Sequence, residues 1–307
     1  MSYDFKNYRV LGEVGSGGLG KVYRAIDERT GKIVAIKVLH QKFQNSKRFS
    51  GLFHRELMIV SRLKHKHIVS CIDANFSPPN CYIVSEFIDG WSLYAIMKKI
   101  GKIPPLVALC IAIEILQGID YLHLHDMVHS DLSSPNVLID KIGRVYITDF
   151  GLAIQEQIED YKNYMIGTPG YYSPEHISDS PMMPQSDIYC VGLLIYEMIS
   201  GDKAVPPDLN RKIIMKNMAK IDYSKITITQ SRLRRMICRL LQKALKANVN
   251  RRTSSAEAMI FDIYYILKKH HIRYSRYGIH QMLVDSKIAI PPTKGAPQEI
   301  YIGYVNS

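Results

Sequence analysis

Cysteine is scarce and scattered in this sequence. Five cysteines occur among 307 residues, and none belongs to a Cys-x-x-Cys pair. An odd number of scattered thiols argues against a disulfide framework and against a zinc site. Most of the cysteines have apolar neighbours, where a free thiol behaves as a small hydrophobic side chain. We therefore expect a protein of a reducing compartment, namely the cytoplasm.

Long apolar runs are also missing. The longest runs, at 106–113 and 191–195, are far shorter than the roughly 20 apolar residues that cross a bilayer. The first residues, Met-Ser-Tyr-Asp-Phe-Lys, do not resemble a signal peptide. No internal repeat or low-complexity tract is present. We therefore expect a soluble protein without a membrane span in this chain. Its 47% hydrophobic content is ample for a globular core.

The most informative stretch lies between residues 129 and 151. Two short runs rich in Val, Ile and Tyr, at 137–139 and 144–148, flank a turn that contains Asp140 and Gly143. This pattern predicts a tight β-hairpin.

The register of that hairpin brings oxygen-bearing side chains together. If the residues beside the turn pair, Asn136 lies opposite Thr148 and next to Asp149. Asp131 lies a few residues upstream in the same loop. Amide and carboxylate oxygens suit Mg²⁺, which keeps waters and phosphates in its other positions. A carboxylate beside such a site can accept a proton from a hydroxyl.

These residues resemble the catalytic core of the protein kinases. The sequence reads His-x-Asp-Leu-x-x-x-Asn from His129 to Asn136, and Asp-Phe-Gly from Asp149, and both are motifs of that family. The resemblance implies that Asp131 is the catalytic base, that Asn136 and Asp149 bind Mg²⁺, and that ATP is the phosphoryl donor. A Gly-Thr-Pro run resembles the close of the activation segment in serine/threonine kinases. Its Thr168 joins the implied catalytic residues.

A glycine-rich loop occupies residues 15–20, between predicted strands at 8–14 and 22–27. Backbone N–H groups in such a loop can approach a phosphate closely, because no Cβ intervenes. The strand that follows argues against a dinucleotide-binding fold, in which a helix follows the loop. The kinase resemblance implies instead an ATP site formed by Gly15, Ser16, Gly17, Gly18, Gly20, Val22, Ala35, Lys37, Glu86, Ile88 and Leu138.

Lys37 lies in a predicted strand at 32–39, on an apolar face where an ammonium needs an anion. Its motif, Val-Ala-Ile-Lys, resembles the kinase motif whose lysine holds the α- and β-phosphates. A helix is predicted at 46–63, and Glu56 lies at the edge of its apolar stripe. We predict an ion pair between Lys37 and Glu56, both of which the resemblance makes catalytic. Without that pair, Lys37 would snorkel to the surface and Glu56 would be solvated beside Arg55.

The resemblance covers about residues 8–270 and implies an α+β, bilobal protein-kinase fold with ATP between the lobes. The N-lobe, at 1–88, is an antiparallel β-sheet with one main helix, and the C-lobe, at 89–271, is mostly α-helical. Residues 272–307 form a C-terminal extension without a clear period. Further helices are predicted at 106–125, 187–199, 232–246 and 254–270, and further strands at 68–71 and 82–87.

Several supporting contacts are also implied. Glu175 of the Ser-Pro-Glu run is expected to pair with Arg251. Asp187 is expected to cap its own helix and, by the resemblance, to brace the backbone of the catalytic loop. The backbone groups of Glu86 and Ile88 are expected to meet the adenine edge.

Two residues depart from the kinase pattern. Ser130 replaces the arginine that usually clamps a phosphate on the activation loop, so we predict activity that does not require loop phosphorylation. Ser133 replaces a lysine near the γ-phosphate, so we predict lower turnover. Tyrosine kinases lack that lysine too, which leaves tyrosine or dual specificity open. The same departures are compatible with a pseudokinase that binds nucleotide as a scaffold, and the motifs also fit a kinase of small molecules.

Basic residues outnumber acidic ones, 40 to 28, and the net charge is +12. Such a balance permits binding to nucleic acid or to an anionic membrane. No nucleic-acid motif accompanies it, so we expect the partners to be a nucleotide and a protein substrate, without nucleic acid. The sequence does not determine the oligomeric state.

Overall fold

A computed structural model describes residues 5–16, 20–40, 43, 47–75, 81–151, 153 and 167–289. The chain divides into two compact units. The first comprises Met1–Asp89 with Asp149–Ala153, and the second comprises Gly90–Thr148 with Ile154–Ser307. Residues 152 and 154–166, and the end of the chain from residue 290, fall outside the described residues.

The first unit is built on a five-stranded antiparallel sheet with the strand order β1-β2-β3-β5-β4. Its elements are β1 (Tyr8–Ser16), β2 (Gly20–Asp27), β3 (Ile33–Leu39), α1 (Lys47–Val60), β4 (Cys71–Asn75) and β5 (Tyr82–Glu86). Alternate side chains of β3, Val34, Ile36 and Val38, enter a core that also contains Phe5 and Tyr82. The β-branched residues of β3 favour this half-buried strand.

One strand prediction in this unit was wrong. The run at 68–71 is apolar because Ile68 and Val69 are buried, but the strand begins only at Cys71 and continues to Asn75. Apolar content therefore identified burial there but not the extent of the strand, which agrees with the ambiguity of short apolar runs.

The second unit is mostly helical and carries a small three-stranded sheet with the order β6-β7-β8. Its elements are β6 (Gly90–Ser92), α2 (Leu93–Ile100), α3 (Pro105–His123), β7 (Val137–Asp140), β8 (Val145–Ile147), α4 (Pro174–Ser178), α5 (Pro184–Ser200), α6 (Arg211–Met218), α7 (Ser231–Ala244), α8 (Ala256–Lys269) and α9 (Arg276–Asp285). Helices α3 and α5 pack together and are buried over most of their length. Both sequences are apolar on nearly every face, as a central helix requires.

Within the described residues, α3 is the one helix that meets the length and composition expected of a membrane span. It has 19 residues, and its most apolar 18-residue stretch has a mean hydropathy of 1.6. Of that stretch, 67% is buried. The core helix of a globular domain meets the same criteria, so this helix is weak evidence for a span.

Helix α9 was not anticipated from the sequence. It lies in the stretch from residue 272 that was expected to lack a period, and it packs on α3 with Ile279 and Leu283 fully buried. The carboxylate of Glu114 in α3 accepts hydrogen bonds from the Nε of Arg276, at 2.6 Å, and from the hydroxyl of Tyr274. The part of the extension that is described therefore belongs to the packed body of the second unit.

Candidate active site

The glycine loop joins two paired strands, as predicted. Gly15 pairs with Val22 and Ser16 with Lys21 in the β1–β2 hairpin. A Cβ on Gly20 would lie 2.1 Å from the backbone oxygen of Val38, so only glycine fits beside β3 at this position. Gly17 and Gly18, which were also predicted to bind nucleotide, lie outside the described residues.

Three predicted nucleotide residues share one face of the sheet. Val22 lies directly opposite Lys37, and Ala35 lies two residues from Lys37 on the same side of β3. Glu86, opposite Val34, uses its N–H to donate to the oxygen of Ser70 at 3.0 Å. Because that donor is occupied, its backbone carbonyl is the group that remains for an adenine edge. Two further predicted residues, Ile88 in the first unit and Leu138 in the second, are half-buried.

Lys37, Glu56 and Asp149 form an ionic group that we call the Lys37 cluster. The Nζ of Lys37 lies 2.8 Å from both carboxylate oxygens of Glu56 and 2.8 Å from Oδ1 of Asp149. The side chain of Glu56 is 7% exposed and that of Lys37 is 19% exposed. The predicted Lys37–Glu56 pair is therefore present, and a solvated Glu56 is excluded. The contact with Asp149 adds a second acid that the sequence did not predict.

The electrostatics of this cluster keep the amine charged. Burial favours the neutral amine, but the carboxylates of Asp149 and Glu56 outweigh it and raise the pKa of Lys37 above its ordinary value. Burial also raises the pKa of Glu56, to about 7, although Lys37 opposes this shift. With both acids ionised, two carboxylates face this ammonium, and carboxylate oxygens suit a cation. Asp149 is 39% exposed, so it is the more accessible of the two acids.

The hairpin of β7 and β8 has the predicted register. The N–H of Asp140 donates to the oxygen of Arg144 at 2.9 Å, and the N–H of Thr148 donates to the oxygen of Asn136 at 3.0 Å. The amide nitrogen of Asn136 donates to the backbone oxygen of Asp131 at 2.9 Å. This orientation makes the amide oxygen of Asn136 the candidate metal ligand.

Asp131, Asn136 and Thr168 form a second group, which we call the Asp131 cluster. The Oδ1 of Asp131 accepts a hydrogen bond from the backbone N–H of Thr168 at 2.8 Å, and its Oδ2 accepts one from Nδ2 of Asn136 at 3.2 Å. The adjoining Gly167 has φ +125°, a conformation that favours glycine. Thr168 thus contacts the predicted base through its backbone and not through its hydroxyl.

Asp187, in α5, holds the backbone of the loop at 129–136, which carries the predicted base. Its carboxylate accepts hydrogen bonds from the N–H groups of His129, at 2.9 Å, and Ser130, at 3.0 Å. Burial would raise the pKa of Asp187, but the hydrogen bond and charge of His123 hold it below its usual value. The predicted bracing is therefore present. The predicted helix cap is wrong, because α5 begins earlier, at Pro184, and the side chain is directed to the loop.

The predicted partner of Glu175 was wrong by one residue. Its carboxylate binds Arg252, at 2.6 and 2.8 Å, and that guanidinium is fully buried. Arg251 is exposed at the end of a short turn. Arg252 also donates to the backbone oxygens of Lys246 and Ala247. Two adjacent arginines carry no periodic signal that would separate them, so only the turn geometry decides which one is buried.

Two further features of the second unit could not be predicted from the sequence pattern. The Oγ of Ser133 is buried without a hydrogen-bond partner among the described residues, so this hydroxyl does not replace the missing lysine charge. The Nε2 of His176 in α4 lies 2.7 Å from the backbone oxygen of Ser130. The available signal was the position of His176 directly after the Ser-Pro-Glu run.

The family assignment follows from comparison with known proteins. A family model described as the protein kinase domain matches residues 8–262. The chain belongs to the protein kinase family. The match includes every predicted site residue of this kinase domain, from Gly15 to Thr168.

Several bacterial proteins are similar to this kinase domain. It is 32% identical over 259 residues to the probable serine/threonine-protein kinase PknB of Lactococcus lactis. This alignment covers 83% of this chain and 41% of that protein. It is 34% identical over 196 residues to the serine/threonine-protein kinase PrkC of Bacillus subtilis, covering 63% of this chain and 30% of that protein. It is 32% identical over 196 residues to the serine/threonine-protein kinase PknL of Mycobacterium tuberculosis, and this alignment covers 63% of this chain and 49% of that protein. The aligned region thus spans less than half the length of each of these relatives.

Proposed function

We propose that this chain is a serine/threonine protein kinase that transfers the γ-phosphate of ATP to a protein hydroxyl. The observation that carries the proposal is the Lys37 cluster, in which one ammonium lies 2.8 Å from two acids. The relatives named as serine/threonine-protein kinases support the same activity and acceptor class. The partners we propose are ATP and a protein substrate.

Each residue of the two clusters has a chemical role in this proposal. Lys37 binds the α- and β-phosphates through its ammonium, and Glu56 holds that ammonium in place. Asp131 orients the acceptor hydroxyl and accepts its proton. The N–H of Thr168 and the amide of Asn136 fix the carboxylate of Asp131. Positioning and electrostatics supply most of the rate in phosphoryl transfer.

The donor set suits magnesium. Asn136 offers an amide oxygen, and Asp149 offers a carboxylate that is 39% exposed. Oxygen ligands of this type hold Mg²⁺ together with phosphates and water. Among the described residues no group of three or more His, Cys, Asp and Glu is arranged to hold a metal by itself. When bound, Mg²⁺ neutralises charge on the phosphates.

We also propose that activity does not require phosphorylation of the activation segment. Ser130 carries a hydroxyl in place of a guanidinium, and its Oγ donates to the backbone oxygen of Val128 at 3.4 Å. A neutral side chain in this position offers no charge to a phosphate. Phosphatase-treated and autophosphorylated protein should therefore transfer phosphate at similar rates. A large rate gain after phosphorylation would contradict this part of the proposal.

The decisive experiment is transfer of radiolabelled γ-phosphate to a generic basic protein by the purified chain. We expect transfer that depends on magnesium and that D131N lowers by about 10²–10⁴-fold, the usual range for a general base. Phosphoamino-acid analysis of the product should give phosphoserine and phosphothreonine. Phosphotyrosine as the main product would instead support tyrosine or dual specificity.

A nucleotide-binding pseudokinase is the second candidate. The specific observation in its favour is Ser133, whose buried hydroxyl leaves the lysine position without charge. A pseudokinase would bind ATP normally in a fluorescence titration and yet transfer no more phosphate than D131N. The proposed kinase must exceed D131N in the same assay.

A further inference from the structure

Ser130, the residue before Asp131, has an unusual backbone conformation. Ser130 has φ +64°, which costs a residue with a side chain roughly 1–2 kcal/mol relative to the right-handed region. Such a conformation persists only when the surroundings fix it. The direction of this peptide group also sets where the Cα of Asp131 presents its carboxylate.

The N–H side of this turn is held by α5. Asp187 accepts from the N–H of Ser130 at 3.0 Å and from the N–H of His129 at 2.9 Å. On the other side, the backbone oxygen of Ser130 lies 2.7 Å from Nε2 of His176. The turn is therefore restrained from two different helices.

The tautomer of His176 follows from its second nitrogen. The N–H of Ser173 donates to Nδ1 of His176 at 3.1 Å, so Nδ1 is an acceptor and the proton lies on Nε2. The Nε2–H group then donates to the oxygen of Ser130. Burial lowers the pKa of His176, with opposing contributions from Ser130, Asp187 and Glu175, which agrees with a neutral ring.

The helix that carries His176 is itself anchored. Glu175, the preceding residue, is joined to the fully buried guanidinium of Arg252 by two hydrogen bonds. Ser186 donates to the same carboxylate at 2.9 Å. A short helix fixed in this way can present the imidazole at a defined position, as the support of a catalytic group requires.

We propose that His176 is a positioning residue for phosphoryl transfer, which fixes the Ser130 carbonyl and through it the carboxylate of Asp131. This inference rests on the proposed kinase activity. His176 acts through the peptide backbone and does not touch the reacting atoms. The side chain of Ser130 adds a hydrogen bond of 3.4 Å to the oxygen of Val128, so the shorter backbone contacts are the main restraint on its position.

The test compares H176M with H176Q in the full chain. Methionine has a similar volume without a donor, whereas glutamine can place an N–H near the Ser130 oxygen. We expect H176M to lower kcat by at least about tenfold, since small displacements of a catalytic group are costly, with the KM for ATP within twofold of wild type. H176Q should recover most of the loss. The control is H125A, which removes an exposed histidine whose side chain contacts Tyr121, through the backbone oxygen and the ring.

Hydrogen exchange gives a readout that does not depend on activity. The peptide that spans residues 128–132 should exchange faster in H176M than in wild type, H176Q or H125A. Unchanged exchange in H176M, an unchanged kcat in H176M, or equal losses in H176M and H176Q would each overturn the inference. A wild-type chain that transfers no phosphate would refute the proposed function instead, and the exchange result would still decide whether His176 restrains the loop.

Discussion

The Lys37 cluster and the Asp131 cluster are held by different kinds of interaction. In the first, the ammonium of Lys37 contacts two acidic side chains, Glu56 and Asp149, and Asp149 is 39% exposed. In the second, uncharged donors hold the carboxylate, since Asp131 accepts from the N–H of Thr168 and from Nδ2 of Asn136. The surrounding loop is tied through the N–H and oxygen of Ser130. Ion pairs can exchange partners with a charged ligand, whereas a backbone restraint keeps one group in one place. The comparison predicts charge-sensitive binding at Lys37 and geometry-sensitive catalysis at Asp131.

The largest effect should come from removing the ammonium of the Lys37 cluster. K37M removes the ammonium that contacts Glu56 and Asp149, and with it the proposed phosphate ligand. We expect ATP affinity and phosphate transfer to fall by about 10²–10³-fold, the loss typical of a missing charge-stabilising donor. K32M is the matched control, because Lys32 is exposed just before the same strand. Equal effects of K37M and K32M in an ATP titration would refute the assignment.

A comparable effect, on stability and not on binding, should follow from breaking the Glu175–Arg252 pair. R252M leaves the carboxylate of Glu175 buried without its partner, which costs roughly 3–5 kcal/mol. At about 2–4 °C per kcal/mol for a unit of this size, the melting temperature should drop by roughly 6–20 °C. R251M should change it little, because Arg251 is exposed. A larger drop in R251M would restore the pairing that the sequence suggested.

A smaller effect should appear in the pH dependence. The pKa of Glu56 is raised by burial from 4.5 to about 7, so the folded chain binds this proton more tightly than the unfolded chain. The folded state is therefore favoured on the acid side, and this contribution is lost as the pH rises through about 7. The pH dependence of phosphate transfer should have the opposite sign to that of stability, because a neutral Glu56 no longer anchors Lys37. Activity should fall as the pH drops below about 7.

E56Q separates this titration from others in the chain. Its stability should change less between pH 5 and pH 8 than that of wild type, as measured by denaturant unfolding at each pH. Its activity should be low throughout and should lack the acid limb. An unchanged slope of stability against pH in E56Q would assign the titration to another group.

The parts of the site that the sequence predicted are those set by local pattern. The β7–β8 hairpin follows from alternating β-branched residues around a turn, and the Lys37–Glu56 pair follows from a lysine and a glutamate placed on apolar faces. The contacts that it missed or misassigned depend on tertiary geometry. His176 meets the oxygen of Ser130, 46 positions away, and Arg252 replaces its neighbour only because a short turn exposes Arg251. No periodic signal encodes either contact.

The smallest effect should come from the contact that anchors α9. Glu114 is fully buried in α3, and its carboxylate also accepts from the N–H of Val145 at 2.9 Å, so it links α9 to strand β8 of the β7–β8 hairpin. R276M removes the charged donor but leaves Tyr274 and Val145 as partners, so we expect a loss of about 1–3 kcal/mol. R273M, at an exposed arginine nearby, is the control. Because the β7–β8 hairpin keeps its own register, phosphate transfer per folded molecule should stay within about twofold of wild type. A larger loss would show that α9 contributes to catalysis as well as to stability.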